Sequence, residues 1–281
     1  VLKSSAKEPS IHDSDAITIL DRKSAKPPKC YHDCEADVVD WILSPLSNPD
    51  RERFESHENR EGDHGKAIHK SFDCSIMDLA DDIAYGVHDL EDSIALCLIS
   101  EPSFRAEVTE DKCASFLDYL KSRYPTESQN NVYDIFVRDI FSDGRTRKRT
   151  ISRIVNHIML NLQICEIDDL EEPLIKFRAK LANGPAKFLE SMTELVRKKV
   201  IFSAGVQHLE FKGQQMVLAV FETLRSDPKH FLANDTYELF SSSNEPVRVI
   251  SDHLAGMTDS FLLKTYDRLF SPRMGSVFDR L

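Results

Sequence analysis

Apolar residues recur at spacings of three and four along most of this chain, and this helical period is its most constraining feature. Strict alternation of apolar and polar residues, which is typical of a half-buried strand, is nearly absent from the sequence. Gly is scarce, at 9 of 281 residues, and Gly and Pro stand mainly between the periodic segments. The pattern predicts an all-α fold built from many helices.

The helical period divides the chain into segments separated by polar or Pro-containing stretches. Residues 35–46 are predicted to form one short helix, and residues 70–99 two helices in succession. Further helices are predicted over 130–141, 145–164, 170–203, 206–225, 228–240 and 245–270. Residues 1–29 are polar and contain Lys, Ser and Pro, which predicts a flexible connection before a helical body at 30–281. Residues 47–69 are charged and contain Gly and His, which predicts a mobile surface loop.

Charge and cysteine usage limit the functions that such a chain can have. The net charge of −11 disfavours nonspecific binding to nucleic acid or to an anionic membrane. The sequence contains no apolar run long enough to span a bilayer, so no membrane partner is expected. The six cysteines are scattered along the chain, a pattern typical of reduced thiols in a cytoplasmic protein.

One stretch of the chain is strongly acidic and carries no basic residue. Residues 71–104 contain eight acidic side chains and no Lys or Arg. On a helix, Asp81, Tyr85 and Asp89 are spaced four apart and share one face, with His88 beside them. A face of one sign repels itself unless a cation sits on it, which indicates a metal or ligand site. The alternative interpretation is a solvated polar face on an amphipathic helix, and spacing alone leaves both open.

The same stretch resembles a motif of a known enzyme family. Ala80 to Tyr85, followed by His88 to Asp92, is similar to the motif of bacterial dGTPases and dGTPase-like triphosphohydrolases of the HD-domain superfamily. Near the other end, Arg248 to Asp259 resembles the family's C-terminal helix with its Gly-Met-Thr-Asp core. Val206 to Gly213 also fits. The matches occur in order over roughly residues 30–270, so the resemblance covers most of the chain.

The resemblance implies a reaction and roles for three residues. In the family, a divalent metal such as Mg²⁺ or Mn²⁺ is held by a His, an adjacent His-Asp pair and a distant Asp, which is Asp81 here. Tyr85 matches the tyrosine near the sugar and phosphates of the substrate, and Asp89 matches an acid at its sugar end. The implied activity is hydrolysis of a dNTP, with dGTP expected, to deoxynucleoside and inorganic triphosphate. The family also implies a homo-oligomer.

The sequence departs from the family pattern at the other metal ligands. The pairs His12-Asp13 and His32-Asp33 lie in polar stretches that lack the family's apolar helical context. We therefore expect the chain to be the C-terminal part of an HD-type helical assembly, with an incomplete metal site and no activity on its own.

Three further residues are candidates for substrate binding, namely His88, Lys70 and Arg153. Lys and Arg donate well to phosphate oxygens, and Arg153 stands inside the apolar pattern of its helix, although a basic cluster is also typical of a solvated face. A competing function is a noncatalytic regulatory or oligomerisation module with a degenerate metal site. A terpenoid-synthase-like enzyme is disfavoured, because position 85 is Tyr and no second Mg²⁺ motif follows.

Overall fold

A computed structural model describes residues 30–58, 65–126, 131–167 and 169–272, together with the backbone of two short strands before them. The described chain is mainly helical, which confirms the all-α prediction. Strands β1 (Ile11–His12) and β2 (Ile19–Leu20) pair antiparallel. The predicted flexible connection at 1–29 otherwise lies outside the described residues.

The helices follow one another with short connections. In chain order they are α1 (Ala36–Leu43), α2 (Asn48–Phe54), α3 (Phe72–Ala95), α4 (Glu101–Glu107), α5 (Ala114–Arg123), α6 (Val132–Ile140), α7 (Gly144–Met159), α8 (Pro173–Lys176), α9 (Asn183–Val196), α10 (Ala204–Ser226), α11 (Pro228–Phe231), α12 (Asn234–Ser242), α13 (Pro246–Ala255) and α14 (Asp259–Phe270). A 3₁₀ turn at Asp33–Glu35 precedes α1, and a π-helical turn at Arg197–Ile201 follows α9.

The two helices predicted within residues 70–99 are one continuous helix, so that prediction is wrong. Helix α3 runs over 24 residues and ends at Ala95, and Ile94 belongs to the same buried face as Val87 and Leu90. The chain then turns at Cys97, whose φ of 57° lies in the left-handed region. Pro102 does not close a helix but stands in the first turn of α4, where a missing N–H costs nothing.

Residues 47–69 contain regular structure where the composition predicts a loop. Ser47 caps helix α2 by accepting a hydrogen bond from the Asp50 amide at 3.3 Å. The Asp50 carboxylate is buried and accepts the backbone amides of Glu171 and Glu172. Strands β3 (His57–Glu58) and β4 (Lys66–Ala67) then pair antiparallel. Residues 59–64 lie outside the described part of the chain, and the predicted mobility stays a prediction.

The helices predicted over 145–164 and 170–203 are interrupted by a hairpin. Strand β5 (Leu162–Glu166) pairs antiparallel with β6 (Phe177–Leu181), with Ile164 opposite Ala179. Strand β5 leaves apolar side chains exposed, so it lacks the clear inside and outside faces that mark a strand in sequence. In β6, apolar and charged residues alternate, and this period of two is the sequence signal that indicates a strand.

The chain forms two compact units, Val1–Arg197 and Lys198–Leu281. In the first unit, α3 packs against α9, α7 and β6, and an aromatic cluster joins α5, α6 and α9. In that cluster, Phe116 lies 5.1 Å from Phe136 and 5.2 Å from Phe188, measured between ring centroids. In the second unit, α10, α11 and α13 bury a core made of Val220, Leu224, Leu232 and Ile250.

Candidate functional site

Helix α3 carries the candidate site, and its apolar face fixes it against α9. Ile83, Val87 and Leu90 are buried on this face. Between them, Gly86 brings the two helices into close approach. A Cβ added at Gly86 would lie 2.5 Å from Leu189 Cδ1 and 2.7 Å from Thr193 Oγ1. The absence of a side chain at Gly86 therefore sets how closely α3 approaches α9, and with it the position of the opposite face.

The N-terminal end of α3 is tied to strand β6. The Ser75 hydroxyl accepts a hydrogen bond from the Ala179 amide at 2.9 Å, across the helix–strand boundary. The Phe72 and Phe177 rings meet edge to face, with centroids 6.4 Å apart. Ser71 caps the helix by accepting from the Cys74 amide. These contacts tie the first turns of α3 to strand β6.

The predicted row of Asp81, Tyr85 and Asp89 lies on one face of this helix, because α3 is continuous through all three. Asp81 is exposed, whereas Tyr85 and Asp89 are half-buried. Burial raises the pKa of Asp89, and the carboxylates of Asp92 and Asp81 raise it further, while His88 lowers it. Burial also raises the pKa of the Tyr85 hydroxyl, and Asp89 adds to the effect. The row is thus an electrostatically connected acidic surface.

Lys70 lies beside this acidic surface. Its ammonium forms an ion pair with the Asp78 carboxylate, one turn before Asp81. Burial raises the pKa of Asp82, as do the carboxylates of Asp78 and Asp81, whereas Lys70 lowers it. The structure therefore brings Lys70 to the N-terminal part of the acidic surface, as a cation within reach of several carboxylates.

His88 and Arg153 have different surroundings. The exposed His88 imidazole lies 3.7 Å from the Glu91 carboxylate on the same helix. The Arg153 guanidinium stacks over the Tyr124 ring, 3.9 Å from its centroid. Arg153 also lines a small cavity whose other walls come from α5, α6 and α7. The structure thus groups His88 with the acidic surface and places Arg153 at a separate cavity.

Comparison with known proteins finds relatives that are similar to most of this chain. The deoxyguanosinetriphosphate triphosphohydrolase-like protein of Shewanella halifaxensis is 36% identical to this chain over 258 residues, which cover 90% of the chain and 56% of that relative. The deoxyguanosinetriphosphate triphosphohydrolase-like protein 2 of Deinococcus radiodurans is 37% identical over 257 residues, which again cover 90% of the chain and 56% of that relative. The family model of the phosphohydrolase-associated domain matches residues 182–268. The chain is thus similar, over 90% of its own length, to deoxyguanosinetriphosphate triphosphohydrolase-like proteins. It spans little more than half the length of these relatives.

The described residues supply only part of the ligand set that the resemblance implies for a divalent metal. Within the described ranges, no three His, Cys, Asp or Glu side chains are grouped so that they could hold an ion. The resemblance implies a ligand set of a His, a His-Asp pair and a distant Asp, and a single carboxylate such as Asp81 is by itself a weak ligand for a divalent ion. His32 and Asp33 are both exposed, while His12-Asp13 falls outside the described side chains. The residues that the structure describes therefore do not form a complete metal site.

The family motifs near the C-terminal end shape the second unit. The Gly-Met-Thr-Asp core joins two helices and does not lie within one, as the prediction over 245–270 has it. Gly256 follows α13 directly, and Thr258 caps α14 by accepting from the Phe261 amide at 3.3 Å. Helix α10 contains the matching residues 206–213. No helix in the described part of the chain is both long and apolar enough to cross a membrane.

Two features near the candidate site were not predicted from the sequence. Gly86 gave no signal, since a lone Gly in a helical pattern does not reveal which neighbour approaches it. The convergence of Arg53, His69 and Arg178 was also missed, because these residues lie on three segments that are distant in sequence. Their charges nevertheless interact in the folded chain.

Proposed function

We propose that this chain supplies the substrate-positioning, C-terminal part of a metal-dependent dNTP triphosphohydrolase. The proposed reaction converts a dNTP, with dGTP expected, to deoxynucleoside and inorganic triphosphate. The observation that carries the proposal is the row of Asp81, Tyr85 and Asp89 along one face of a helix that is held rigidly by α9 and β6. The names of relatives at 36 and 37% identity point to the same chemistry.

Each residue of the acidic surface has a proposed role. Asp81 supplies one metal ligand, and it is exposed enough to do so. When bound, the divalent ion supplies polarisation of the phosphate. Tyr85 and Asp89 position the sugar and the phosphates next to it through hydrogen bonds. Both are half-buried, so their side chains are restricted before substrate arrives, which reduces the entropy lost on binding.

His88 and Lys70 are proposed to contact the substrate at the edges of this surface. Lys70 already neutralises one carboxylate, and it can exchange Asp78 for a phosphate oxygen without leaving the surface. Arg153 is a weaker candidate, because it stacks on Tyr124 and lines a cavity formed by other helices. We expect a homo-oligomer from the family resemblance.

A second candidate function is a noncatalytic helical module whose acidic surface no longer serves catalysis. One observation favours it, namely that the described residues group no three metal-ligating side chains. The two candidates differ in one measurable property, which is metal-dependent turnover by the complete gene product.

The test is release of inorganic triphosphate from dGTP with Mn²⁺, followed for the complete gene product and for the 281-residue chain in parallel. We expect turnover by the complete gene product that EDTA abolishes, and none by the chain alone, because Asp81 by itself cannot hold the metal. An inactive complete gene product would favour the noncatalytic module. Robust turnover by the chain alone would refute the proposal that it is only part of the enzyme.

A further inference from the structure

Three nitrogen-rich side chains converge at the N-terminal end of α3. Arg53 comes from α2, His69 from the connection between β4 and α3, and Arg178 from the second position of β6. The Arg53 guanidinium donates to the backbone carbonyl oxygen of Asp169. We refer to Arg53, His69 and Arg178 as the cationic cluster.

The cluster contains buried nitrogen atoms without partners among the described residues. Nε and Nη2 of Arg178 and Nδ1 of His69 are inaccessible to solvent, and within the described part of the chain none of them has a hydrogen-bond partner. Buried polar groups are nearly always hydrogen-bonded, and a buried guanidinium without an acceptor is especially unfavourable. Two such side chains in one place indicate an acceptor that the described residues do not supply.

The charges around the cluster define the acceptor that fits. Burial lowers the pKa of His69, and the charges of Arg178 and Arg53 lower it further, while the Asp169 carboxylate raises it. Among the described residues, two permanent cations and one carboxylate therefore act on the His69 ring. A guanidinium fork matches the spacing of phosphate oxygens and binds two of them at once.

We propose that Arg53, His69 and Arg178 form a binding site for a polyphosphate anion. The site goes beyond the proposed function, since none of its residues belongs to the acidic surface. It also has a structural link to that surface, because Phe177, the neighbour of Arg178 in β6, packs against Phe72 in the first turn of α3. The anion can be inorganic tripolyphosphate or the phosphate tail of a nucleotide.

The first test is calorimetric titration of the 281-residue chain with tripolyphosphate. We expect saturable binding that Arg178→Gln weakens at least about tenfold, because it removes a charge-assisted bidentate contact. Lys180→Gln is the matched control, since it removes the same charge from an exposed position of the same strand, and it should change the affinity less than about twofold. Equal losses in both variants, or no saturable binding, would overturn the site.

The second test uses the His69 ring and does not depend on any substitution of Arg178. Saturation with tripolyphosphate should raise the pKa of His69, because an anion favours the imidazolium, and binding should tighten as the pH falls from about 8 to about 6. Within the described residues, Arg178, Arg53 and Asp169 are the charged groups that act on this ring. His208 in the second unit is the internal control. An unchanged His69 resonance at saturation would contradict the proposal.

Parallel titrations with dGTP and with deoxyguanosine separate the two sources of the anion. Equal affinities for dGTP and tripolyphosphate would show that the phosphate chain alone is recognised, and tighter dGTP binding, still weakened by Arg178→Gln, would identify a nucleotide tail. Deoxyguanosine should not bind at the cluster, and dGTP binding that Arg178→Gln leaves unchanged would overturn a role for the cluster in nucleotide binding. None of these experiments measures turnover, so they succeed or fail independently of the proposed function.

Discussion

Helices α3 and α10 are similar in length, at 24 and 23 residues, but differ in how their polar faces are balanced. Helix α10 contains both signs of charge, and its acids have partners on the same helix. Glu210 accepts from Gln207 and Gln214, and Glu222 pairs with Arg225. Helix α3 contains seven acids and no Lys or Arg.

The two helices also differ in how much of their length is buried. Helix α3 buries residues from Ser75 to Ile94, almost its full length, whereas the buried residues of α10 lie only between Met216 and Leu224. A helix that is anchored throughout can present an unbalanced polar face without losing its structure. The acidic surface of α3 is therefore maintained by packing, although its own charges oppose it.

The first prediction, with the largest change, is that catalytic activity depends on an acid of α3 and not on an acid of α10. In the complete gene product, Asp81→Ala should lower kcat/KM for dGTP at least about a hundredfold. Mutation of a residue that only orients a metal ligand already lowers metal affinity or activity about 10–100-fold, and loss of a ligand itself should lower activity at least as much. Asp73→Ala on the exposed first turn of α3 and Glu210→Ala on α10 are the controls, and both should stay near the wild-type rate. Loss of activity in all three variants would remove the distinction between the acidic surface and any other charged position.

The position of Asp81 could be predicted from the sequence because its chemistry is local. A spacing of four on a helix places Asp81, Tyr85 and Asp89 together whatever the rest of the chain does. The all-α class was predictable for the same reason, since the helical period is a local pattern. The β5–β6 hairpin was not, because β5 has no clear buried face and its pairing with β6 is a tertiary event.

The close approach at Gly86 and the cationic cluster lay beyond sequence reasoning for a different physical reason. Both depend on which segments meet in space, and the partners of Gly86, Leu189 and Thr193, lie on a helix far along the chain. Ile94 belongs to α3 for the same reason, although two successive helices were predicted over residues 70–99. It packs on the face already formed by Val87 and Leu90, so one helix suffices.

The second prediction concerns the packing of the two helices. Gly86→Ala should destabilise the chain by up to about 2 kcal/mol, since overpacking costs about 1–3 kcal/mol and helix propensity returns about 1 kcal/mol. Gly213→Ala is the matched change in α10, where an added Cβ meets nothing within 4 Å. It should stabilise by about 0.5–1 kcal/mol. Urea unfolding monitored by circular dichroism measures both, and the same sign for both variants would contradict the close approach at Gly86.

The third prediction tests the electrostatic cost of the acidic surface. Burial and the carboxylates of Asp92 and Asp81 raise the pKa of Asp89 above its ordinary value, and the opposing effect of His88 is smaller. The folded state therefore holds the Asp89 proton more tightly than the unfolded state does, and stability falls as the pH rises from the unfolded to the folded pKa. At neutral pH the ionised Asp89 destabilises α3, and Asp89→Asn should relieve this by less than about 1 kcal/mol.

The pH dependence provides the check. The gain from Asp89→Asn, measured as slower amide hydrogen exchange along α3, should be present at pH 7 and vanish near pH 3, about a unit below the unfolded pKa of an aspartate. Glu210→Gln in α10 is the control and should give no gain at pH 7, because Glu210 already has two amide donors. A gain that persists at pH 3 would assign the effect to packing and not to charge.

The smallest effect is expected on α10, where the charges are balanced. Glu222 and Arg225 form a 3.0 Å ion pair, but their side chains are 57% and 55% exposed. Solvent screens such a pair, and ordering two long side chains opposes the attraction, so Glu222→Gln should change the unfolding free energy by less than about 0.5 kcal/mol. The Arg225 guanidinium also lies 5.9 Å from the centroid of the Phe221 ring, a contact that the variant keeps. Urea unfolding at low and high salt measures the change. A salt-dependent loss of unfolding free energy larger than the gain from Asp89→Asn would mean that the stability of α10, too, depends on its charges. The two helices would then differ only in whether their charges stabilise or destabilise them.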